Sequence, residues 1–156
     1  MEDALLKIYE FANVLKELLN RSPINSLVAE ILHKNKFAFF LRKLQAPQLN
    51  KYIQAIDEEM TTLKKWDTKI QTYFNEIDLS EENYHKFLKQ LLAQTNAVQQ
   101  SNALLSMQVQ NSNGNLKALQ EALQRNQAIR QEALDNVKTL YHLSRMQYKR
   151  LFSTID

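Results

Sequence analysis

The chain has 156 residues with one Gly, two Pro and no Cys, and its 20 Lys and Arg stand against 17 Asp and Glu for a formal charge of +3. This length suits one compact unit with a real core, and so few turn-forming residues argue for few, long helices, so the expected class is all-α. The lack of Cys excludes disulfides and thiol chemistry and suits a reducing, cytoplasmic setting, and no apolar run or basic leader points to a membrane span or to the usual secretory signal.

Duplex binders collect Lys and Arg on one stripe, whereas Lys34, Lys36, Arg42, Lys43, Lys64 and Lys65 are interleaved with apolar or acidic neighbours. No nucleic-acid partner is expected.

In chain order, residues 2–20 place Leu5, Ile8, Tyr9, Ala12, Leu15, Leu18 and Leu19 at spacings of three and four, which predicts a first helix. Ser22 followed by Pro23 is a helix-start signature, because the hydroxyl caps free amides and Pro fits the first turn. A second helix is predicted from Pro23 to about Leu44, where Phe37, Phe40 and Leu44 share a face that suits the core. Pro47 seats the first turn of a third helix reaching about Ile77, with Tyr52, Ile53, Ile56, Met60, Leu63, Ile70, Tyr73 and Phe74 on its apolar side. Ser80 and the acidic residues after it start a fourth.

From Tyr84 the pattern becomes a heptad seam: Tyr84, Leu88, Leu91, Thr95, Val98, Asn102, Leu105 and Val109 alternate steps of four and three. Such a seam predicts shallow packing along a neighbouring helix, with Asn102 buried to fix register. The same steps continue through Leu116, Leu119, Leu123, Asn126, Arg130, Ala133, Val137, Leu140 and Ser144 to Leu151. Gly114 therefore admits two readings, one helix of about seventy residues or a hinge between two. The predicted architecture is an antiparallel helical bundle with long coiled-coil helices and an amphipathic carboxyl-terminal helix. A bundle over 1–116 and a thinner segment over 117–156 are expected, the latter gaining order on a partner.

Across this seam, from Gln90 to Leu116, no side chain is charged, and eleven of these residues are Asn or Gln. Surface helices ordinarily carry Lys and Glu there, so an amide face reads as one that a partner can approach.

Catalysis finds no footing. His33, His85 and His142 are scattered without metal-ligand spacing, and Glu58-Glu59 and Glu81-Glu82 are adjacent on helices, about a hundred degrees apart, so they cannot share one substrate bond. A single Gly forbids a phosphate loop. The expectation is a non-enzyme without cofactor or metal.

The run Leu91-Leu92-Ala93-Gln94-Thr95-Asn96-Ala97-Val98-Gln99-Gln100-Ser101-Asn102-Ala103-Leu104-Leu105 resembles the Asn-bearing helix of FlgN-type flagellar export chaperones, and the order of helices around it is similar. The resemblance implies a cytoplasmic chaperone of type III export. Such a protein binds carboxyl-terminal helices of hook-filament junction proteins and delivers them to the export gate. It further implies a substrate-binding tail with Leu119, Leu123, Val137, Leu140 and Leu151 as anchors, and a gate-contacting tyrosine for which Tyr141 and Tyr148 are both candidates. The alternative is a non-catalytic coiled-coil adaptor or structural subunit, self-associating as a homodimer through the seam.

Overall fold

The computed structural model describes residues 2–26, 46–78, 80, 82–111 and 116–153. These form four long helices and no strand: α1 (Glu2–Asn20), α2 (Ala46–Glu76), α3 (Glu82–Gln110) and α4 (Leu116–Ser153). The start at Ser22 is as expected. Ile24 N donates to Ser22 Oγ at 3.2 Å, opening a helical turn over residues 23–26. The Phe37 to Leu44 face lies outside the described residues.

Pairings across the bundle fix the direction of each helix. Gln94 of α3 meets Asn136 of α4, and Ser101, further along α3, meets the earlier Asn126, so α3 and α4 are antiparallel. Thr95 with Asp67 and Asn102 with Glu59 set α2 antiparallel to α3. Tyr9 with Tyr141, and Asn25 just beyond the end of α1 with Arg130, do the same for α1 and α4. The result is an up-down-up-down bundle in which α1 packs on α4, α4 on α3, and α3 on α2. Between α1 and α2 the backbones approach less closely, and rings bridge the space: Phe11 lies edge-on to Trp66 and Tyr73, centroids 6.4 and 6.0 Å away.

Of the two readings at Gly114, the arrangement of the helices selects the hinge. A single helix through Gly114 is excluded, because the chain has reversed direction between Gln110 and Leu116; Gly114 itself lies outside the described residues. The physical reason is that the seam keeps its register on both arms, which then face one another across the bundle instead of extending along one axis. The helix that follows Leu116 shares a core with the helices before it. Ala133, Leu134, Val137 and Leu140 of α4 share one core cluster with Leu15 of α1, Leu63 and Ile70 of α2, and Leu88, Leu91 and Val98 of α3. A thin apolar face suffices here because three helices converge on it.

The seam itself is buried as its spacing predicts, from Leu88 through Thr95, Asn102 and Val109. A second, smaller cluster joins Ile24, Ile56, Leu105, Val109, Leu119, Ala122 and Leu123 at the other end of the bundle. Fully buried leucines such as Leu63 and Leu91 hold this arrangement; each costs about 2–5 kcal/mol when cut to Ala, from lost transfer energy and the cavity left behind.

Candidate functional site

Between the two apolar clusters lies a buried polar layer. On α2, Glu59 sits between Ile56 of one cluster and Leu63 of the other, and Asn102 on α3 and Asn126 with Arg130 on α4 occupy the same boundary. Arg130 clasps the Glu59 carboxylate with two nitrogens, Nη1 to Oε2 and Nη2 to Oε1, the latter at 2.8 Å. Its Nε donates to Asn25 Oδ1 at 3.1 Å, and Asn25 Nδ2 in turn donates to the Leu19 carbonyl at 2.6 Å. Asn102 donates through Nδ2 to Glu59 Oε2, while its Oδ1 accepts from Asn126 Nδ2 at 3.0 Å. Asn126 also donates to Ser101 Oγ at 2.9 Å, and its Oδ1 has no partner among the described residues.

A buried ion pair is weak evidence of net stability, because desolvating two charges offsets their attraction. Removing one partner is another matter. The layer therefore acts chiefly as a register lock that penalises every sliding of α2, α3 and α4 past one another. It offers no chemistry: the guanidinium and carboxylate satisfy each other. Of its members the sequence exposes Asn102 as a register residue, and Asn126 and Arg130 as seam positions. Glu59 is missed, since a lone Glu on a helix flanked by Glu58 reads as solvated until its partner is seen.

Four of the five residues implied as substrate anchors lie inside the molecule. Leu119 and Leu123 belong to the smaller cluster and Val137 and Leu140 to the larger, so the chain's own helices already occupy them. Leu151 falls in α4, but its side chain lies outside the described residues. Tyr141 and Tyr148 both stack on Tyr9 of α1, with centroids 5.2 and 6.2 Å from it, and Lys16 Nζ lies 3.9 Å from the Tyr141 ring centroid. The Tyr9 and Tyr141 hydroxyls are 3.4 Å apart. That bond holds the Tyr9 phenol above its ordinary value and the Tyr141 phenol below it. No cluster of metal-ligating side chains occurs among the described residues, and no described helix is long and apolar enough to cross a membrane.

The uncharged stretch of α3 faces solvent over a groove shared with α4. Ala93, Ala97 and Leu104 line one side and Ile129, Ala133 and Asn136 the other, around a space of about 390 Å³. Small side chains form the floor, amides flank it, Glu132 of α4 is its one charged lining residue, and Leu104 stands 64% exposed at one end. A larger groove of about 770 Å³ separates α1 from α2, but its Phe11, Trp66 and Tyr73 rings are already engaged with each other or with Lys69, and its rim mixes both charge signs.

No family model, curated protein or solved structure matches the chain.

Proposed function

We propose that this protein is a non-catalytic, cytoplasmic chaperone of flagellar type III export, of the FlgN type, which binds carboxyl-terminal helices of hook-filament junction proteins and hands them to the export gate. The observation that carries the reading is the coincidence of two features on α3. The residues from Leu91 to Leu105 that resemble the family's Asn-bearing helix are also those whose solvent side is uncharged and grooved against α4. A surface with few strongly hydrated groups is cheaper to dehydrate against a partner than one of Lys and Glu. The buried anchors shift the expected mode of binding: a partner helix docks on the assembled bundle, with Leu119, Leu123, Val137 and Leu140 left in place.

The test is capture. Full-length chain mixed with a purified hook-filament junction protein should elute from a sizing column as a stable complex, and deletion of the junction protein's carboxyl-terminal helix should abolish it. Separate elution at micromolar concentrations overturns the reading. A second reading, a self-associating adaptor, draws on the same exposed Leu104 and Met107; it predicts a dimer by sedimentation that dissociates when Leu104 becomes charged.

A further inference from the structure

The α3 side of the groove follows a strict step of four and three through Ala93, Ala97, Gln100 and Leu104. Continued toward the start of α3, the same steps reach Gln90 and then exposed Lys86. On α4 the groove residues Ile129, Glu132 and Asn136 continue through Thr139 to Leu143 and Met146, which are 41% and 66% exposed. The register that sets Gln94 beside Asn136 brings Lys86 level with these two apolar side chains. The groove is thus one end of a longer track. It runs from Leu104 and Ile129, over an alanine floor, to Leu143, Met146 and Lys86, about 27 Å or eighteen residues of helix.

Charge along this track is uneven. From Asn136 to Thr154 the sequence holds no acidic residue, while Lys138, Arg145, Lys149 and Arg150 are all basic. Exposed Lys149 lies one turn beyond Met146, so Lys86 and Lys149 outnumber exposed Glu82, one turn before Lys86, and leave the Leu143 end cationic. The middle carries Glu132, and at the Leu104 end the uncharged stretch of α3 faces exposed Arg125 of α4, one turn before Ile129, with exposed Glu121 a turn further offsetting it. Tyr141 and Tyr148 are turned toward α1 by their stacking on Tyr9, which fixes the rotation of α4 and leaves Leu143 and Met146 facing outward.

Resting on the proposed role as a helix-binding protein, we infer that the occupant of this track is a single amphipathic partner helix of about eighteen residues, apolar along one stripe and acidic at the end that lies over Lys86 and Lys149. The alanine floor allows close approach of its backbone, the two leucine ends supply apolar anchors, and the cationic end sets its direction. Two exposed apolar side chains on α4 form too narrow a stripe for insertion into a bilayer, which favours a protein helix over a lipid surface.

The inference is tested with full-length protein and fluorescein-labelled synthetic peptides of that length, each with a leucine stripe at helical spacing and either three Glu or three Lys at one end. The Glu-ended peptide should bind about tenfold or more tightly than the Lys-ended one at low salt, with the difference shrinking as salt rises. Leu104→Glu and Leu143→Glu, both at exposed positions, should each weaken binding about tenfold, while Gln71→Glu on the far helix α2 leaves it unchanged. Lys86→Glu should narrow or reverse the preference between the peptides. Equal binding of both peptides, undiminished binding by the two leucine variants, or binding only to vesicles containing phosphatidylglycerol overturns the inference. If the wild-type chain captures a junction protein and both leucine variants capture it equally well, the track is wrong while the chaperone role stands. If the peptides bind as stated and no junction protein is captured, the track stands and the role falls.

Discussion

Arg130 of α4 and Glu59 of α2, 71 positions apart in sequence, form a bidentate ion pair in the interior of the bundle, with side chains 3% and 6% exposed. The pair lies between two apolar clusters, and Asn25, Asn102 and Asn126 complete its hydrogen bonding. Arg suits this place better than Lys, because its planar fork meets both carboxylate oxygens and still has Nε for Asn25.

Breaking the pair from one side leaves a buried charge unmatched. Arg130→Met is expected to destabilise the fold by about 3–5 kcal/mol, and Glu59→Leu by a similar amount. The double variant should recover most of the loss, since apolar residues of like volume replace two desolvated ions. Urea unfolding of the two single variants and the double one checks this, and additive losses would contradict it.

The two asparagines of the layer should behave differently. Asn102 both donates to Glu59 and accepts from Asn126 and Arg130, so Asn102→Leu strands several buried groups at a cost of about 2–4 kcal/mol. Asn126 carries an acceptor with no partner among the described residues, and replacing it by Leu removes that liability along with two donated bonds. Asn126→Leu should therefore cost about 1 kcal/mol or less. Denaturation midpoints of the two variants, at equal slope, measure the contrast.

Much of this architecture was legible in the chain, and the limits have a physical cause. The seam from Leu88 to Val109 and its continuation through Leu119, Asn126, Arg130 and Val137 are buried at the positions the alternating steps pick out. Heptad spacing reports which side of a helix is covered, and it does so locally. It does not report what covers that side. The reversal between Gln110 and Leu116 was therefore invisible in the register, and so was the meeting of Glu59 with Arg130. For the same reason Leu119 and Leu140 read equally well as partner anchors or as core. Of the candidate site, the uncharged run was plain in the sequence, whereas its pairing with Ile129 and Asn136 needed the antiparallel arrangement.

Because α4 completes the main core, removing residues 117–156 should unfold the remainder. The shortened chain would leave Leu15, Leu63, Leu91 and Val98 without Ala133, Val137 and Leu140. Circular dichroism should show reduced helicity and no cooperative thermal transition. A stably folded 1–116 fragment would contradict the shared core.

The Tyr9 and Tyr141 pair should titrate in two separated steps about the ordinary value of 10.0. Their hydrogen bond raises the Tyr9 phenol, and it lowers the Tyr141 phenol, assisted by the positive charge of Lys16. The signs follow from linkage. The lowered group contributes stability that is present above 10 and lost as pH falls through its folded pKa, and the raised group contributes stability present below 10 and lost as pH rises through its own. Spectrophotometric titration of Tyr9→Phe should bring Tyr141 back toward the ordinary value, and an unchanged titration would show the bond absent in solution.

The proposed docking of a partner helix on the assembled bundle is read most directly from backbone exchange. Amide hydrogen exchange of the full chain, with and without a hook-filament junction protein at saturating concentration, resolves this by segment. The predicted result is added protection along residues 86–104 of α3 and 129–146 of α4, with the slow exchange around Leu119, Leu123, Val137 and Leu140 unchanged. Accelerated exchange around those four leucine and valine positions, with no gain along the α3 and α4 groove, would show that α4 opens to receive the partner and would contradict docking on the assembled bundle.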